Sequence, residues 1–209
     1  VPVAELTSVA YAQRQRARLD DARYVSTRTL APGLTTSRDE STETTHYAVV
    51  DRWGNAVSTT TTINGLFGSG VWVPGGGFFL NNEMDDFTAR PGTPNMFGLV
   101  QGEANAVAPG KRMLSAMSPT IVLDPQDRVL LVIGSRGGPR IISGVFQVIT
   151  NVIDHGLSLY DAMAAPRMHF QGLPEVVSYE VGGFATPVLD SLRAMGWTLE
   201  RGGSGSPVA

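Results

Sequence analysis

The chain changes character abruptly at Thr44, and this boundary most constrains what it can fold into. Residues 24–43 are polar, contain Pro and Gly, and show no periodicity, which indicates a loop or linker accessible to cleavage. Strand-like stretches follow at 45–51 and 55–63 with turn residues between them, so a β-hairpin is predicted. Thr44 therefore heads a strand immediately after a cleavable segment.

A second hairpin and a long helix are predicted downstream. Strands at 118–123 and 129–134 are apolar enough to be buried on both faces, which is typical of central strands. Apolar residues then recur at three- and four-residue steps from Ile141 to Ile153, which indicates an amphipathic helix. Gly156 is a suitable residue to end that helix.

Shorter elements complete the predicted order. Helices are expected over 8–23, after the N-cap residue Ser158, and from Thr186 to Gly196. Late strands are expected near 176–179 and 197–200. Two hairpins followed by helices and further strands indicate an α+β fold in which stacked sheets are flanked by helices.

Composition excludes several classes of protein. A length of 209 residues fits one or two globular domains. The net charge of -3, without a clustered basic face, argues against a nucleic-acid partner. No apolar run approaches the ~20 residues of a membrane-spanning helix, so no membrane partner is expected. The absence of cysteine excludes disulfides and thiolate metal sites.

The histidines and the chain ends carry less information. His46, His155 and His169 are too scattered to predict a metal site or a Ser-His pair, so we interpret them as structural and expect no metal. The chain begins at Val1 and closes on the turn-rich residues 203–209. Both ends look cut from something longer.

Thr44 could act as a nucleophile if the chain were cut before it. A threonine hydroxyl is a poor nucleophile, but an N-terminal threonine carries its own base, an α-amine of pKa roughly 7.7 to 8.0. Cleavage before Thr44 supplies that amine. The alternative is an ordinary strand threonine, because β-branched residues favour strands.

Five separated motifs carry a resemblance to a known family. They are Thr44-Thr45-His46-Tyr47, Asp51-Arg52-Trp53-Gly54-Asn55-Ala56-Val57-Ser58, Leu80-Asn81-Asn82-Glu83-Met84-Asp85-Asp86-Phe87, Ser115-Ala116-Met117-Ser118-Pro119-Thr120 and Gly134-Ser135-Arg136-Gly137-Gly138. In this order they resemble the gamma-glutamyltransferase family, contiguously from about Val1 to Ala209. The resemblance implies that 1–43 is the C-terminal end of a large subunit and that 44–209 is a small subunit, incomplete at its C-terminus.

The same resemblance implies fold, maturation and location. The expected fold is the αββα sandwich of N-terminal-nucleophile hydrolases, here partial because both ends are truncated. The precursor cut falls between Glu43 and Thr44, through attack of the Thr44 hydroxyl on the Glu43 carbonyl. A periplasmic or secreted protein is expected.

Catalytic roles follow from chemistry and from the resemblance together. Thr44 is the expected nucleophile, and Thr62 aligns with a second threonine that orients it. Chemistry alone cannot rank Thr62 within the run 59–62, although alternation leaves only Thr60 and Thr62 on one face. Gly137 and Gly138 match the family's oxyanion-hole glycines; a tight strand-to-helix turn is the alternative reading of the pair.

Donor-binding residues are carried over in the same way. Asn64, Glu83 and Asp86 resemble the set that binds an α-ammonium; a solvated acidic turn is the alternative, and the spacing lacks the pattern of an EF-hand calcium loop. Ser115 matches one of two adjacent serines that bind the α-carboxylate, but the second position is Ala116. The family's carboxylate-binding arginine lies upstream of Val1.

A loop resembles the lid over the pocket in bacterial members. Residues 90–98 are rich in Pro and Gly, which indicates a stiff, exposed loop. Phe97 replaces a tyrosine found in some relatives, so a latch through that hydroxyl cannot form.

The resemblance implies a gamma-glutamyl transferase or hydrolase that needs no cofactor. Its expected donors are glutathione and other gamma-glutamyl amides, its acceptors amino acids, peptides or water, and its partner the remainder of the large subunit. Ala116 keeps open a cephalosporin or glutaryl acylase. An inactive, uncleaved fragment is the third hypothesis.

Overall fold

The computed structural model describes residues 3–26 and 44–202 of the chain. The predicted linker lies outside the described residues from residue 27 onward, and so does Glu43 with its predicted cut site. The two described parts combine helices with short β-sheets.

Two short helices open the chain, α1 (Val3–Leu6) and α2 (Val9–Arg16). Ser8 is the N-cap of α2, and its Oγ accepts a hydrogen bond from the Tyr11 backbone N–H at 3.1 Å. The predicted single helix over 8–23 was too long. The Asp20 side chain accepts from the Ala22 N–H at 2.8 Å, a local turn that competes with helix continuation.

The first predicted hairpin is present as β1 (Thr45–Val50) and β2 (Ala56–Thr61). The strands are antiparallel, with Thr45 opposite Thr61 and Val50 opposite Ala56. Gly54 supplies the positive φ of 87° that the connecting turn requires. Thr62 lies one residue beyond β2, not within the strand as predicted.

The segment after this hairpin holds elements that the sequence did not reveal. A small hairpin joins β3 (Trp72–Val73) to β4 (Phe78–Phe79). Two 3-10 helices follow, Glu83–Asp86 and Glu103–Asn105. These pieces are too short to carry a periodic pattern.

The second predicted hairpin is formed by β5 (Thr120–Leu123) and β6 (Val129–Ile133). It lies beside the first, and the Ser58 hydroxyl donates to the Ile133 carbonyl at 3.1 Å. The prediction that both faces of these two strands are buried was wrong for the described residues. Ile121 and Leu130 are 41% and 53% exposed, because one face of this hairpin has no layer packed on it here.

The buried core lies between that hairpin and the predicted amphipathic helix, α3 (Arg140–Ile153). Helix α4 (Leu159–Ala164) closes it, and Ser158 caps α4 as predicted, accepting from the Asp161 N–H at 3.1 Å. The core side chains are those of Leu131, Ile133, Ile141, Val145, Val148 and Ala162.

The last part of the chain forms a three-stranded sheet. Its strands are β7 (Met168–His169), β8 (Val177–Glu180) and β9 (Leu199–Gly202), with β8 antiparallel to β7 and parallel to β9. Helix α5 (Thr186–Ala194) makes the crossover between the parallel pair. Among the described residues, no helix has the length and hydrophobicity needed to cross a bilayer.

Candidate active site

One cleft gathers most of the predicted site residues. They come from the ends of the first hairpin, the first 3-10 helix, the segment before β5 and the turn before α3. Those that line the cleft are Thr44, Thr62, Asn64, Glu83, Asp86, Ser115 and Gly138. Gly137 immediately precedes the last of them.

The register of the first hairpin explains why Thr44 and Thr62 meet. Thr45 pairs with Thr61 at the end of the ladder, so Thr44 and Thr62 are the next opposed residues. Both are half-buried. Thr62 Oγ1 also accepts from the Asn64 N–H at 2.9 Å, which fixes the turn after the strand.

Asn64 connects this turn to the acidic segment. It adopts a φ of 72°, a left-handed conformation that asparagine tolerates better than most residues. Its side chain is buried, and Nδ2 donates to the Asn82 carbonyl at 3.2 Å. Asn82 Oδ1 in turn accepts from the Gly65 N–H at 2.9 Å. Because Asn82 precedes Glu83, these bonds fix the start of the 3-10 helix against the hairpin.

Glu83 and Asp86 form a partly buried carboxyl pair. A 3-10 helix has three residues per turn, so side chains at positions i and i+3 project in the same direction. Burial raises the pKa of Glu83 to about 7, with the negative charge of Asp86 adding to the effect. Burial also raises the pKa of Asp86. The solvated acidic turn is therefore a poor description of this pair, and a bound cation would relieve its repulsion.

The turn before α3 depends on glycine. Gly137 has a φ of 120° and Gly138 a φ of 55°, both in the region that disfavours side chains. A Cβ on Gly138 would lie 2.8 Å from the Phe97 ring. Their carbonyls accept from the N–H groups of Arg140 and Ile141 at 3.1 Å, which starts the helix. The pair therefore brings bare backbone to the cleft at a helix N-terminus.

Ser115 lies at the exposed side of the cleft. Its Oγ accepts a hydrogen bond from the Met117 N–H at 3.2 Å. The hydroxyl hydrogen can rotate toward an acceptor and donate to it. Ala116 beside it is half-buried and offers no hydroxyl.

The lid-like loop is exposed only in its first half. Residues 90–93 are exposed as predicted, but Phe97 is only 6% exposed and its ring faces Gly138. Asn95 Oδ1 accepts from the N–H groups of Phe97 and Leu99, each at 3.0 Å. Asp85 Oδ2 accepts from the Met96 N–H at 2.9 Å. The second half is thus fixed to the acidic segment, a correction to the expected exposed loop.

Several residues of the cleft escaped sequence reasoning. They are mostly apolar and belong to no motif that chemistry would single out: Leu99, Gln101, Leu114, Met117, Pro139 and Ile141. Asn105 supports this wall, since its Nδ2 donates to the Asp86 carbonyl and to Gln101 Oε1, each at 2.6 Å. A sequence signal for these residues does not exist, because only the fold brings them together.

The histidines have structural surroundings in the described parts of the chain. His46 Nδ1 lies 2.8 Å from Thr60 Oγ1, and its ring packs against Gly134. His169 is buried, whereas His155 is exposed. No group of metal-ligating side chains occurs within residues 3–26 and 44–202.

Known sequences are similar to this chain over almost its entire length. A sequence model described as gamma-glutamyltranspeptidase matches residues 1–208. The chain is 48% identical over 202 residues to a glutathione hydrolase proenzyme of Pseudomonas aeruginosa, a match that covers 96% of this chain and 35% of that protein. It thus spans about a third of the length of that relative and of the glutathione hydrolase proenzyme of Escherichia coli.

Solved structures share the mixed α and β fold. A mutant of Helicobacter pylori gamma-glutamyltranspeptidase has a TM-score of 0.76 at 52% identity, covering 78% of this chain and 88% of that one. A cephalosporin acylase of Bacillus halodurans has a TM-score of 0.72 at 26% identity, covering 97% of this chain and 33% of that one. The family match over almost the entire sequence establishes that this chain belongs to the gamma-glutamyltranspeptidase family.

Proposed function

We propose that the full-length protein is a gamma-glutamyl transferase or hydrolase that acts on glutathione and other gamma-glutamyl amides. One observation carries the proposal, the convergence of the candidate nucleophile, acidic pair and glycine turn on a single cleft. The similarity to a glutathione hydrolase proenzyme supports it. Amino acids, peptides or water accept the acyl group, and no cofactor is proposed.

Maturation comes first in the proposed sequence of events. Thr44 Oγ attacks the carbonyl carbon of Glu43, the acyl group shifts from nitrogen to oxygen, and water hydrolyses the resulting ester. Hydrolysis turns the main-chain carbonyl of Glu43 into a new C-terminal carboxylate and restores the Thr44 hydroxyl, and Thr44 is left with a free α-amine. Before that cut the base is only an amide nitrogen, so the uncut chain is a precursor.

Turnover then uses the same hydroxyl. Thr44 Oγ attacks the γ-carbonyl carbon of the donor while its α-amine takes the hydroxyl proton, directly or through water. The oxyanion meets backbone N–H groups at Gly137 and Gly138. Collapse breaks the C–N bond, the ammonium returns its proton to the leaving amine, and an acyl-threonine ester remains. Water or an amine acceptor attacks that ester and regenerates Thr44.

Donor recognition divides between opposite charges. Glu83 and Asp86 bind the α-ammonium with Asn64, and Ser115 binds the α-carboxylate together with an arginine upstream of Val1. The raised pKa of Glu83 supports this assignment, because the neighbouring carboxyls favour a cation between them. A glutaryl group has the carboxylate but lacks the ammonium. The acidic pair therefore favours glutamyl over glutaryl donors.

The remainder of the protein completes the proposed architecture. Residues 1–43 end a large subunit, 44–209 belong to the small subunit, and the assembled fold is an αββα sandwich. The exposed apolar side chains Ile121, Leu123 and Leu130 support a further layer supplied by the large subunit. A periplasmic or secreted location is part of the proposal, and fractionation of cells that express the full-length protein tests it.

An acylase of cephalosporin or glutaryl amides is the second candidate. Ala116 motivates it, since the missing hydroxyl weakens the recognition of the glutamyl group and widens the range of acyl groups that the cleft tolerates. The structural similarity to a cephalosporin acylase supports it further. The apolar wall of Leu99, Leu114 and Met117 is compatible with a less polar acyl group.

Two measurements on the full-length protein separate the candidates. Intact-mass analysis after incubation is expected to show a cut before Thr44; a chain that stays uncut and inactive supports the third hypothesis, a non-catalytic scaffold. Values of kcat/KM for glutathione and for a glutaryl cephalosporin are then compared. Turnover of the glutaryl compound alone would defeat the gamma-glutamyl proposal.

A further inference from the structure

The side chain of Gln171 links the C-terminal sheet to the lid-like loop. Gln171 lies two residues after β7 and is half-buried. Its Nε2 donates to the Phe97 carbonyl and to the Leu173 carbonyl, each at 3.2 Å. Because these two carbonyls can only accept, the orientation of the amide is fixed, and Oε1 faces the other way.

The other side of the Gln171 amide meets His169. Gln171 Oε1 lies 3.1 Å from His169 Nε2, so that nitrogen carries the proton of the contact. Burial lowers the pKa of His169 and outweighs the hydrogen bond to Gln171, which raises it; the positive charge of Arg140 lowers it further. The neutral ring therefore presents a lone pair at Nδ1, 2.8 Å from Ser143 Oγ, and the single hydroxyl hydrogen of Ser143 is shared between this nitrogen and the Arg140 carbonyl 3.1 Å away. Ser143 belongs to α3, the helix that begins beside Gly138.

Gln171 thus closes a chain of contacts from the glycine turn back to the lid-like loop. Ser143 on α3 holds His169, His169 holds Gln171, and Gln171 holds the backbone of Phe97. The Phe97 ring covers Gly138 so closely that no Cβ fits between them. The Phe97 end of this chain of contacts therefore lies at the proposed oxyanion site, and the Ser143 end lies in the first turns of the helix that follows Gly138.

We propose that Gln171 is a positioning residue for turnover, which acts by holding the Phe97 main chain so that the ring covers Gly138. This inference rests on the proposed function, since the consequence for rate presumes that Gly138 stabilises an oxyanion. A ring in this position excludes water from the glycine N–H groups, and exclusion of water strengthens their interaction with developing charge. Gln171 itself touches neither donor nor acceptor.

The full-length enzyme with Gln171→Met tests the inference. Methionine keeps the length of the side chain and removes the amide that bonds the Phe97 carbonyl. We expect kcat for a gamma-glutamyl anilide to fall on the order of tenfold or more, because small displacements near a reacting centre are costly. KM is expected to change less than about twofold, since the donor-binding groups are untouched.

Gln147 offers a matched control. It is also half-buried, and its amide bonds the Ser143 carbonyl, the Met168 carbonyl and the Met168 N–H at 2.8, 2.8 and 3.0 Å. It therefore joins α3 to β7 without contacting the lid-like loop. Gln147→Met is expected to lower stability while kcat stays within about twofold. An equal loss of kcat in both variants overturns the proposal.

A double-mutant cycle with Phe97→Ala tests whether Gln171 affects kcat through the Phe97 ring. If Gln171 acts through the ring, Gln171→Met has little further effect on kcat once the ring is gone. A full, additive loss in the Phe97→Ala background overturns the proposal. Should Gln171→Met fail to fold, Gln171→Asn replaces it, because the amide is kept but drawn back by one methylene.

Hydrogen exchange of the backbone at 95–99 provides a readout independent of turnover. We expect faster exchange there in Gln171→Met than in Gln147→Met, because only the first variant releases the Phe97 carbonyl. Unchanged exchange overturns the positioning role itself. The two proposals can fail separately. Faster exchange at 95–99 in Gln171→Met supports the role of Gln171 in holding the loop even if the wild-type full-length protein does not turn over gamma-glutamyl donors. In that case only the proposed function is refuted.

Discussion

Two parts of the cleft differ in what they present. Glu83 and Asp86, here called the acidic end, present two titratable side chains, whereas Gly138 and the preceding Gly137, here called the glycine end, present backbone alone. The acidic end works by charge, and burial raises the pKa of both carboxyls. The glycine end works by shape, since positive φ values and the Phe97 ring exclude a side chain. Changes of pH should therefore act at the first end and changes of volume at the second.

The largest effect is expected at Thr44, which lines the same cleft and belongs to neither end. Thr44→Ala removes the proposed nucleophile for both steps, so the cut before residue 44 should vanish and turnover fall on the order of 10⁴-fold or more. Intact mass and steady-state rates measure the two losses. Thr45→Ala is the control, because Thr45 is exposed on β1 and should change neither greatly. Wild-type activity in Thr44→Ala would refute the mechanism.

A volume change at the glycine end should have the next largest effect. Gly138→Ala forces a Cβ to 2.8 Å from the Phe97 ring at a φ of 55°. We expect kcat to fall about 10²-fold and stability by about 1 to 3 kcal/mol. Gly182→Ala is the matched control for backbone strain, since Gly182 also has a positive φ, 76°, but a Cβ there would meet no atom within 4 Å. Similar kcat losses in both variants would show that strain alone, not the cleft, is responsible.

A charge change at the acidic end should act on donor binding. Glu83→Gln is expected to raise KM for a gamma-glutamyl amide about tenfold, because one charged partner of the ammonium is lost. KM for a glutaryl amide, which has no ammonium, should hardly change. Equal changes for the two donors would contradict the assignment of Glu83.

The pH dependence of the acidic end has a definite sign. The folded pKa of Glu83 is raised from 4.5 to about 7, so its carboxyl binds protons more tightly folded than unfolded. Its contribution to stability is therefore full below 4.5 and is lost as pH rises through about 7. Donor KM should fall over the same rise, because the ionised carboxylate binds the ammonium. Both slopes should become shallower in Glu83→Gln, because glutamine does not titrate; slopes equal to those of the wild type would contradict the assignment to Glu83.

The smallest effect is expected from Ala116→Ser, which adds the second hydroxyl that the chain lacks. A hydrogen bond to a charged group such as the donor carboxylate contributes about 1.5 to 3 kcal/mol when it is shielded, but the neighbouring Ser115 is exposed to water, so KM should fall only about threefold for glutamyl and glutaryl amides alike. Both donors carry the carboxylate, whereas only the first carries the ammonium. A gain confined to the glutamyl donor would place residue 116 at the acidic end instead.

Sequence reasoning succeeded where a pattern had a direct physical cause. The two hairpins and α3 were predicted because strand alternation and helical periodicity extend over enough residues to be read. It failed over 17–23, where Asp20 favours a local turn, and over β3, β4 and the 3-10 helices, which are too short for periodicity. The exposed face of β5 and β6 was also missed, since an apolar strand does not say what covers it.

The same division runs through the candidate site. The sequence by itself determined which types of chemical group are available, because these follow from local chemistry. They are a threonine after a polar segment, a Gly-Gly turn before a helix, and an acidic run. The tertiary structure alone decided that Phe97 covers Gly138 and that burial raises the pKa of Glu83 to about 7. Those properties depend on neighbours distant in sequence, and neighbours at a distance are supplied only by the fold.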